Sequence, residues 1–390
     1  MLPNQRLVSL DAFRGFVMLL MASSGFGLAQ MAAVHPESWG WQQIKFQVSH
    51  VPWQGCSLWD LIQPSFMFMV GVAVPLSVRR RRQEGQGFFS MSWHALIRSV
   101  ILVLLAVLLS TRGSDTQTNW IFPNVLAQIG LGYFFLVLLT RMGWEYCVAA
   151  IILILCGDWF WFFQHPLPTP EMITSLESMK PPAEGFMQGA FGHWNIHTNA
   201  AAEFDRWFLN AYFPRAEPFT YNSGGYQTMN FIPALATMLG GAVTGDFLLG
   251  SPRSNGHKAA RLLIIGIACL LVGSILGFVI CPVVKRIWTP SWAIFSGGWV
   301  LVMLSFFYWL VEVAGQRRLV FPLVVVGMNS IFIYVMHSLC AGWISQQLAK
   351  HGMAALFATT WGPVIEKCSV LFVLWLLCLW LYRQRAFLRL

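Results

Sequence analysis

Long apolar runs separated by short polar segments dominate the chain. A membrane-spanning α-helix needs about 20 mostly apolar residues, and ten runs approach or reach that length. The runs cover residues 12–33, 59–78, 95–111, 123–140, 145–163, 228–250, 261–281, 292–313, 320–341 and 363–382. This pattern predicts an all-α fold, a polytopic membrane helix bundle of about ten transmembrane helices.

The basic residues between these runs indicate an orientation. If the N-terminus is cytoplasmic, 16 of the 25 Lys and Arg residues fall on the cytoplasmic side and 9 on the outer side. The four consecutive arginines 79–82 then face the cytoplasm. Because Lys and Arg concentrate in cytoplasmic loops, we expect both termini to be cytoplasmic.

Composition agrees with a membrane protein. The 390 residues are 56% hydrophobic and only 11% charged, whereas soluble domains carry roughly 25% charged residues. The net charge of +9 would suit a nucleic-acid partner, but the basic residues lie between apolar runs. They predict anchoring to membrane lipid instead, with no nucleic-acid partner. We therefore expect a multi-pass protein of a bacterial inner (cytoplasmic) membrane.

Two long connections lie on the predicted outer side, at residues 34–58 and 164–227. Connections of this length are usually functional or disordered. The second is rich in Pro and aromatic residues, which favours a folded, partly re-entrant element packed on the bundle. With no internal repeat, residues 1–390 are predicted to form a single transmembrane domain with an extended outer loop 164–227.

The stretch from His50 to Asp60 combines an imidazole and a carboxylate at the predicted entrance to the second helix. Pro52 and Gly55 lie between them, so the chain can turn and bring the two side chains together. A carboxylate that orients an imidazole is the arrangement of a general base or a nucleophile. The alternative is an interfacial histidine followed by a helix-capping aspartate.

Other polar residues lie inside or next to predicted helices. They are Asn124, Gln128 and Tyr133 in the fourth helix, Asn329 and His337 in the ninth, and Lys285 and Trp288 at an outer boundary. Buried amides in membrane helices usually bond neighbouring helices, and Lys and Trp anchor helix ends. Asn329 and His337 are two helical turns apart, so both can face one interior groove.

Metal chemistry has little support in the sequence. His193 and His197 have the spacing of metal ligands, but no third ligand is evident nearby. The eight cysteines fall mostly in apolar runs without a Cys-x-x-Cys pair, and they are expected to be small buried side chains. We expect no metal.

Five ordered segments resemble the heparan-α-glucosaminide N-acetyltransferase family, specifically its bacterial members. They are Ser9-Leu10-Asp11-Ala12-Phe13-Arg14-Gly15, the stretch from His50 to Pro64, Pro123-Asn124-Val125-Leu126 with Tyr133, Asp205-Arg206 leading to Gly224-Gly225, and Gly327-Met328-Asn329-Ser330 with His337. The chain departs from the family where it reads Ser23-Ser24-Gly25, in place of an asparagine late in the first helix. It also reads Ala127-Gln128 in place of Gln-Arg.

The resemblance implies a membrane acetyltransferase. Acetyl-CoA, the co-substrate, would come from the cytosol, and the amino group of a glucosamine-type sugar would be acetylated on the far side. The active histidine of the family corresponds to His50 and its adjoining aspartate to Asp60. Asn329 is expected to donate a hydrogen bond to the developing oxyanion, as a third catalytic residue.

The remaining roles are assigned by charge and predicted topology. The phosphates of coenzyme A are expected at Arg14, Arg98, Arg141, Lys258 and Arg261, and the sugar at Asn124, Gln128, Tyr133, His337, Lys285 and Trp288. Direct transfer and a ping-pong route both stay open, as does a homodimer. The alternatives are a permease for an amino sugar or N-acetylglucosamine, and a relative that binds acyl-CoA without turnover.

Overall fold

A computed structural model describes residues 7–113, 117–177 and 185–388. The described residues form α-helices joined by short 3₁₀ and π turns, with one isolated β-bridge. The helices are α1 (Val8–Ala22), α2 (Leu28–Val34), α3 (Trp39–Gln47), α4 (Ile62–Gln83), α5 (Phe88–Thr111), α6 (Val125–Met142), α7 (Trp144–Gln164), α8 (Pro170–Glu177), α9 (Ala200–Tyr212), α10 (Phe231–Gly250), α11 (Asn255–Val279), α12 (Pro290–Tyr308), α13 (Phe321–Gly327), α14 (Ser330–Leu348), α15 (Ala354–Phe357) and α16 (Gly362–Arg383).

The helices confirm the predicted membrane bundle. Within the described residues, 8 helices are long and apolar enough to cross a membrane, and two bent pairs raise the number to 10. The ten coincide with the ten apolar runs of the sequence. Which face is cytoplasmic stays a prediction, and Arg6, Lys180 and Arg389, which entered the charge count, lie outside the described residues.

Glycines allow the central helices to approach closely. A Cβ atom on Gly71 of α4 would collide with the carbonyl oxygen of Met238 in α10, and one on Gly241 would collide with that of Phe68. Small residues at such contacts let the backbones pack directly, which is how helices associate in lipid. Removing the α4–α10 contact would displace the helix that carries Asp60 at its start.

Two sequence motifs pack on each other through another glycine pair. A Cβ atom on Gly15 of α1 would meet the carbonyl oxygen of Leu323, and one on Gly327 would meet that of Asp11. These glycines belong to the Ser9–Gly15 and Gly327–Ser330 segments. The resemblance in these two segments therefore covers a structural contact between α1 and α13.

Both bent pairs break at motif positions. The first span bends by 47° between α1 and α2, where Ser24 and Phe26 have φ of 48° and 54°. Such left-handed values are uncommon for residues other than glycine. The second bends by 78° between α13 and α14, next to Asn329. Gly25 of the first break packs on Val48, which precedes His50 by two residues.

A folded cap covers the end of the bundle where α4 begins. We define the cap as residues 48–58, 185–227 and 280–289. A hydrophobic core joins the cap to Phe162 of α7, and its cap residues are Trp53, Trp194, Ile196, Ala201, Cys281, Val284 and Ile287. The described residues 185–227 are therefore folded and packed on the bundle; residues 178–184 lie outside the described residues.

Candidate active site

The imidazole of His50 and the carboxylate of Asp60 are in contact. Nδ1 of His50 lies 2.7 Å from Oδ1 of Asp60, the histidine side chain is 40% exposed and the aspartate 1% exposed. The chain turns back through Pro52 and Gly55, and Gly55 adopts a φ of 106°, which favours glycine. The imidazole and the carboxylate are therefore in contact, as expected. The ring is partly exposed, and the carboxylate is buried beneath it.

Asp60 is held in place by backbone groups as well. Its Oδ2 accepts hydrogen bonds from the backbone N–H groups of Val51 and Ser57, both at 3.2 Å. The backbone N–H of Asp60 donates in return to the hydroxyl of Ser57 at 3.3 Å. This reciprocal pattern is the capping box, readable as Ser57-x-x-Asp60 in the sequence. Asp60 therefore caps a helix and orients His50 at once, so the two sequence interpretations do not exclude each other.

Lys285 is the third member of the cluster. Its Nζ lies 3.2 Å from Oδ1 of Asp60 and 3.1 Å from Nδ1 of His50, and its side chain is 4% exposed. The sequence predicted a sugar contact for this residue; the structure instead places its ammonium beneath the imidazole.

The three contacts select one tautomer of His50. Nδ1 cannot donate to Asp60 and also accept from Lys285. A lone pair on Nδ1 facing the carboxylate at 2.7 Å would be repulsive, so Nδ1 carries the proton and Lys285 donates to Asp60. Nε2 then holds the lone pair, which is the form a general base or nucleophile requires.

The loop 280–289 brings Lys285 to this position. The N–H of Gly55 donates to the carbonyl of Val283 at 2.9 Å, and Gln54 forms a β-bridge with Val284. Arg286 donates to the carbonyls of Val51 and Gly224 at 3.1 and 2.7 Å. Contacts between three segments of the cap therefore fix the ammonium relative to Asp60.

Burial controls the charge of the groups around His50. Burial lowers the pKa of Lys285, and the attraction of Asp60 opposes this shift. Burial, and to a smaller extent Asp60, raise the pKa of Cys56 to about 12, and burial raises the pKa of Tyr226. The Cys56 thiol therefore stays protonated near neutral pH and is a poor nucleophile.

A cavity lies at the other end of the bundle. It has a volume of about 310 Å³ and is lined by Arg14, Phe66, Val70, Ala73, Val74, Ser77, Arg98, Tyr133, Gly327, Met328, Ser330, Ile331 and Leu388. Its deepest α4 residue, Phe66, follows Asp60 by six positions, or about 9 Å along a helix. The cavity thus extends from the end that carries Arg14 towards the histidine cluster.

The five residues expected to hold coenzyme A do not meet at one place. Arg14 and Arg98 line the cavity. Arg141 lies over the ring of Phe88, Arg261 over that of Phe247, and Lys258 is buried and donates to the carbonyl of Leu248 at 2.7 Å. Only the first two side chains are therefore placed to contact a ligand in this cavity.

The amides of α6 serve the protein itself. Asn124 caps α6 by accepting from the N–H of Ala127 and donates to the carbonyl of Ala106. Gln128 is 1% exposed and donates to the carbonyls of Phe122, Gln227 and Thr228, at 2.7, 3.4 and 3.2 Å. Hydrogen bonds with backbone carbonyls occupy both amide nitrogens, whereas Oε1 of Gln128 is buried without a partner. The structure does not bring these residues to His50.

The other residues expected at the sugar are dispersed. Tyr133 accepts a hydrogen bond from Arg98 at 2.9 Å in the cavity at the opposite end. Trp288 is 1% exposed and donates to the hydroxyl of Thr237. Nε2 of His337 lies 3.1 Å from the hydroxyl of Ser24, at the break in the first span.

The side chain of Asn329 forms hydrogen bonds with the C-terminal segment, which is far from His50 in the sequence. Its side-chain amide donates to the carbonyl of Ala386 at 3.3 Å, and its oxygen accepts from the N–H of Leu388 at 3.1 Å. Leu388 lines the cavity that contains Arg14. The structure therefore places Asn329 beside that cavity and does not bring it to the histidine cluster.

The histidines with metal-like spacing have separate partners. Nδ1 of His193 lies 2.7 Å from the carbonyl of His165, and the ring of His197 packs against Tyr221 at 4.4 Å between centroids. Among the described residues, no group of three or more His, Cys, Asp or Glu could hold a metal ion.

Comparison with known proteins identifies sequences that are similar to this chain. Residues 6–184 match the family model described as the catalytic region of heparan-alpha-glucosaminide N-acetyltransferase. The chain is 24% identical over 372 residues to the human protein of that name, covering 85% of this chain and 52% of the human one. It is 26% identical over 144 residues to the mouse protein, covering 36% of this chain and 20% of the mouse one.

The chain thus spans about half the length of the human relative. His50, Asp60, Arg14 and Arg98 fall inside the matched residues 6–184, and Lys285 falls outside them. These matches confirm the resemblance that the five sequence segments indicated. They show that this chain is similar to heparan-alpha-glucosaminide N-acetyltransferases.

Proposed function

We propose that this chain is a membrane-embedded acetyltransferase. It would move an acetyl group from acetyl-CoA to the amino group of glucosamine or of a sugar that contains it. One observation carries the proposal: the imidazole of His50 is 40% exposed while Asp60, at 2.7 Å, orients it from below. The relatives, which are named as N-acetyltransferases, supply the reaction class.

His50 can act by either of two routes. In direct transfer, Nε2 takes a proton from the sugar amine as its nitrogen attacks the thioester carbon. The C–N bond forms, the C–S bond breaks and coenzyme A leaves as a thiolate that is then protonated. In the ping-pong route, Nε2 attacks the thioester carbon first, coenzyme A leaves, and the amine takes the acetyl group from the ring.

Asp60 would orient the ring without accepting its proton. Five donors already surround the carboxylate: the His50 ring, the Lys285 ammonium, the hydroxyl of Ser57 and the N–H groups of Val51 and Ser57. The carboxylate favours the imidazolium that forms during transfer, and the Lys285 cation opposes it.

The donor would arrive at the opposite end of the bundle. Arg14 and Arg98 are the charged residues of the cavity there, and coenzyme A carries several phosphate charges. The cavity reaches Phe66, so an extended thioester arm would point towards the cluster of His50. With the termini in the cytoplasm of a bacterium, acetyl-CoA would enter from inside and the sugar from outside.

The permease alternative rests on buried polar residues of the fourth and ninth predicted helices. Against it, the amide nitrogens of Asn124 and Gln128 donate to backbone carbonyls. The acetyltransferase is therefore the function that the geometry supports best.

Release of coenzyme A tests the proposal. Purified protein is given acetyl-CoA with and without glucosamine, and free thiol is measured. His50→Ala should lower turnover by about 10²–10⁴-fold, the usual contribution of a general base, and leave acetyl-CoA binding intact. Asp60→Asn should slow turnover less than loss of the ring.

His35→Ala is the matched control, since His35 is an exposed histidine of the same connection. It should keep full turnover. Near-normal turnover by folded His50→Ala protein would remove the histidine from the mechanism. Uptake of glucosamine into vesicles without coenzyme A release would favour the permease.

A further inference from the structure

Two cavities at the end that carries Arg14 share one wall. The smaller, a recess of about 40 Å³, is lined by Val74, Ser77, Val78, Arg81, Met91, His94, Ala95, Arg98, Tyr133 and Val137. Val74, Ser77, Arg98 and Tyr133 also line the larger cavity. The recess and the larger cavity are therefore neighbouring compartments between α4, α5 and α6.

The pair formed by Arg98 and Tyr133 belongs to the wall between them. The guanidinium carbon of Arg98 lies 4.4 Å from the ring centroid of Tyr133, and one of its NH₂ groups donates to the phenol oxygen at 2.9 Å. Nε of Arg98 is buried without a hydrogen-bond partner. A buried N–H of a charged group without an acceptor is costly, so this donor is available to a ligand.

The described residues that line the recess include two arginines and a histidine but no carboxylate. Arg81 donates to the neutral side chain of Gln86 at 3.2 Å. Its neighbours Arg79 and Arg80 form ion pairs instead, with Asp246 and Glu84, both at 2.8 Å. Positive charge is therefore concentrated in the recess without a protein anion to balance it.

We propose that the recess binds a phosphate group, held by Arg81, His94 and Arg98. Two guanidinium groups and an imidazole offer donors in the geometry that suits phosphate oxygens, and the volume of the recess suits a single such group. Arg81 and His94 were not among the residues that charge and topology suggested from sequence. The coenzyme A source of this phosphate rests on the proposed function.

Two sources share this chemistry: a phosphate of coenzyme A, and the headgroup of an anionic lipid at the membrane surface. Affinities for three probes distinguish them: acetyl-CoA, acetyl-pantetheine, which lacks the nucleotide phosphates, and anionic lipid offered in nanodiscs. Arg81→Gln and His94→Gln are compared with Arg80→Gln. Arg80 is the matched control, because it pairs with Glu84 and does not line the recess.

Arg81→Gln and His94→Gln should each weaken acetyl-CoA binding about tenfold, the effect of losing one hydrogen bond to a charged group, and leave acetyl-pantetheine binding unchanged. Arg80→Gln should leave both unchanged. The salt dependence of acetyl-CoA affinity should also become weaker in Arg81→Gln, because one screened charge contact is lost.

If the variants bind acetyl-CoA and acetyl-pantetheine equally more weakly, the effect is structural and the proposal is overturned. Unchanged binding of both acetyl-CoA and lipid would also overturn it. Loss of anionic-lipid binding alone would keep the phosphate recess and assign it to a headgroup. Failure of the wild-type protein to bind either thioester would overturn the proposed function instead, while the lipid probe would still test the recess.

Discussion

Nζ of Lys285 lies 3.2 Å from Oδ1 of Asp60, and the two side chains are only 4% and 1% exposed. These residues come from opposite halves of the chain, and their contact places a buried ion pair directly beneath the exposed imidazole of His50. A buried pair of this kind costs desolvation of both charges. Its position under the ring suggests that it serves the site more than the stability of the fold.

The first prediction concerns this pair. Lys285→Met leaves the Asp60 carboxylate buried without its cation and should lower the free energy of unfolding by about 3 kcal/mol, since breaking a buried pair typically costs 3–5 kcal/mol and four other donors remain. Denaturation in detergent measures the effect. Adding Asp60→Asn should restore most of the lost stability, and strictly additive losses in this double-mutant cycle would contradict the pairing.

The second prediction separates structure from substrate binding in α6. Gln128→Leu removes the donor from three buried carbonyls and should cost about 1–3 kcal/mol of stability. Because the amide is bonded to Phe122, Gln227 and Thr228, the KM for glucosamine should stay unchanged in the folded variant. Steady-state kinetics beside a melting curve decides this; a large rise in KM at unchanged stability would return Gln128 to the sugar site.

The third prediction concerns the pH dependence of the cap. Burial raises the pKa of Asp205 from 3.8 to about 6, against the hydrogen bonds of Thr228. The folded protein then holds this proton more tightly than the unfolded chain, so the stability contributed by Asp205 is lost as pH rises from about 4 to about 6. Burial, and then Arg206, lower the pKa of His197 from 6.5 to about 4, so its contribution grows as pH rises from about 4 to 6.5.

The effects of Asp205 and His197 on the pH dependence of stability oppose each other in nearly the same pH range. The stability of the wild-type protein should therefore change little across that range. In Asp205→Asn the melting temperature should rise between pH 4.5 and 6, and in His197→Asn it should fall. Each change corresponds to at most about 3 kcal/mol in the free energy of unfolding. Asn suits position 197 because the φ there is 66°. Slopes of the opposite sign in these variants would refute the assignment.

The fourth prediction concerns orientation. The charge asymmetry predicts that Arg79–Arg82 face the cytoplasm, which would put His50 outside. In a background without the exposed Cys156 and Cys368, a cysteine at Gln83 should be protected from an impermeant thiol reagent in intact cells. A cysteine at Glu37, in the connection 34–58 that also contains His50, should be labelled, and the reverse pattern would invert the topology.

Local patterns in the sequence were enough to predict the helices and part of the site. The ten apolar runs predicted the spans because a bilayer demands about 20 apolar residues for each crossing. Pro52, Gly55 and the Ser57-x-x-Asp60 cap lie within a few residues of His50, so the turn that joins imidazole to carboxylate is encoded locally. The breaks at Ser24 and Asn329 were missed, since hydropathy continues across them.

The partners of the buried amide side chains could not be predicted from the sequence. Asn124, Gln128 and Asn329 are residue types that suit a substrate, a helix cap or a backbone carbonyl equally well. Which one they meet depends on segments brought close by folding: Gln128 meets Thr228, and Asn329 meets Leu388. Charge and predicted topology likewise suggested five basic residues for coenzyme A, and the folded chain exposes two of them, Arg14 and Arg98, to a common cavity.

The sequence by itself determined a ten-span helical membrane protein, its family resemblance and the pairing of His50 with Asp60. Only the tertiary structure decided that Lys285, 225 positions from Asp60, completes this cluster, and that Arg81 and His94 share a recess with Arg98. The physical reason is the range of the interactions. Hydrophobic length, caps and turns act over a few neighbouring residues, whereas the position of a buried charge depends on how distant helices and loops pack together.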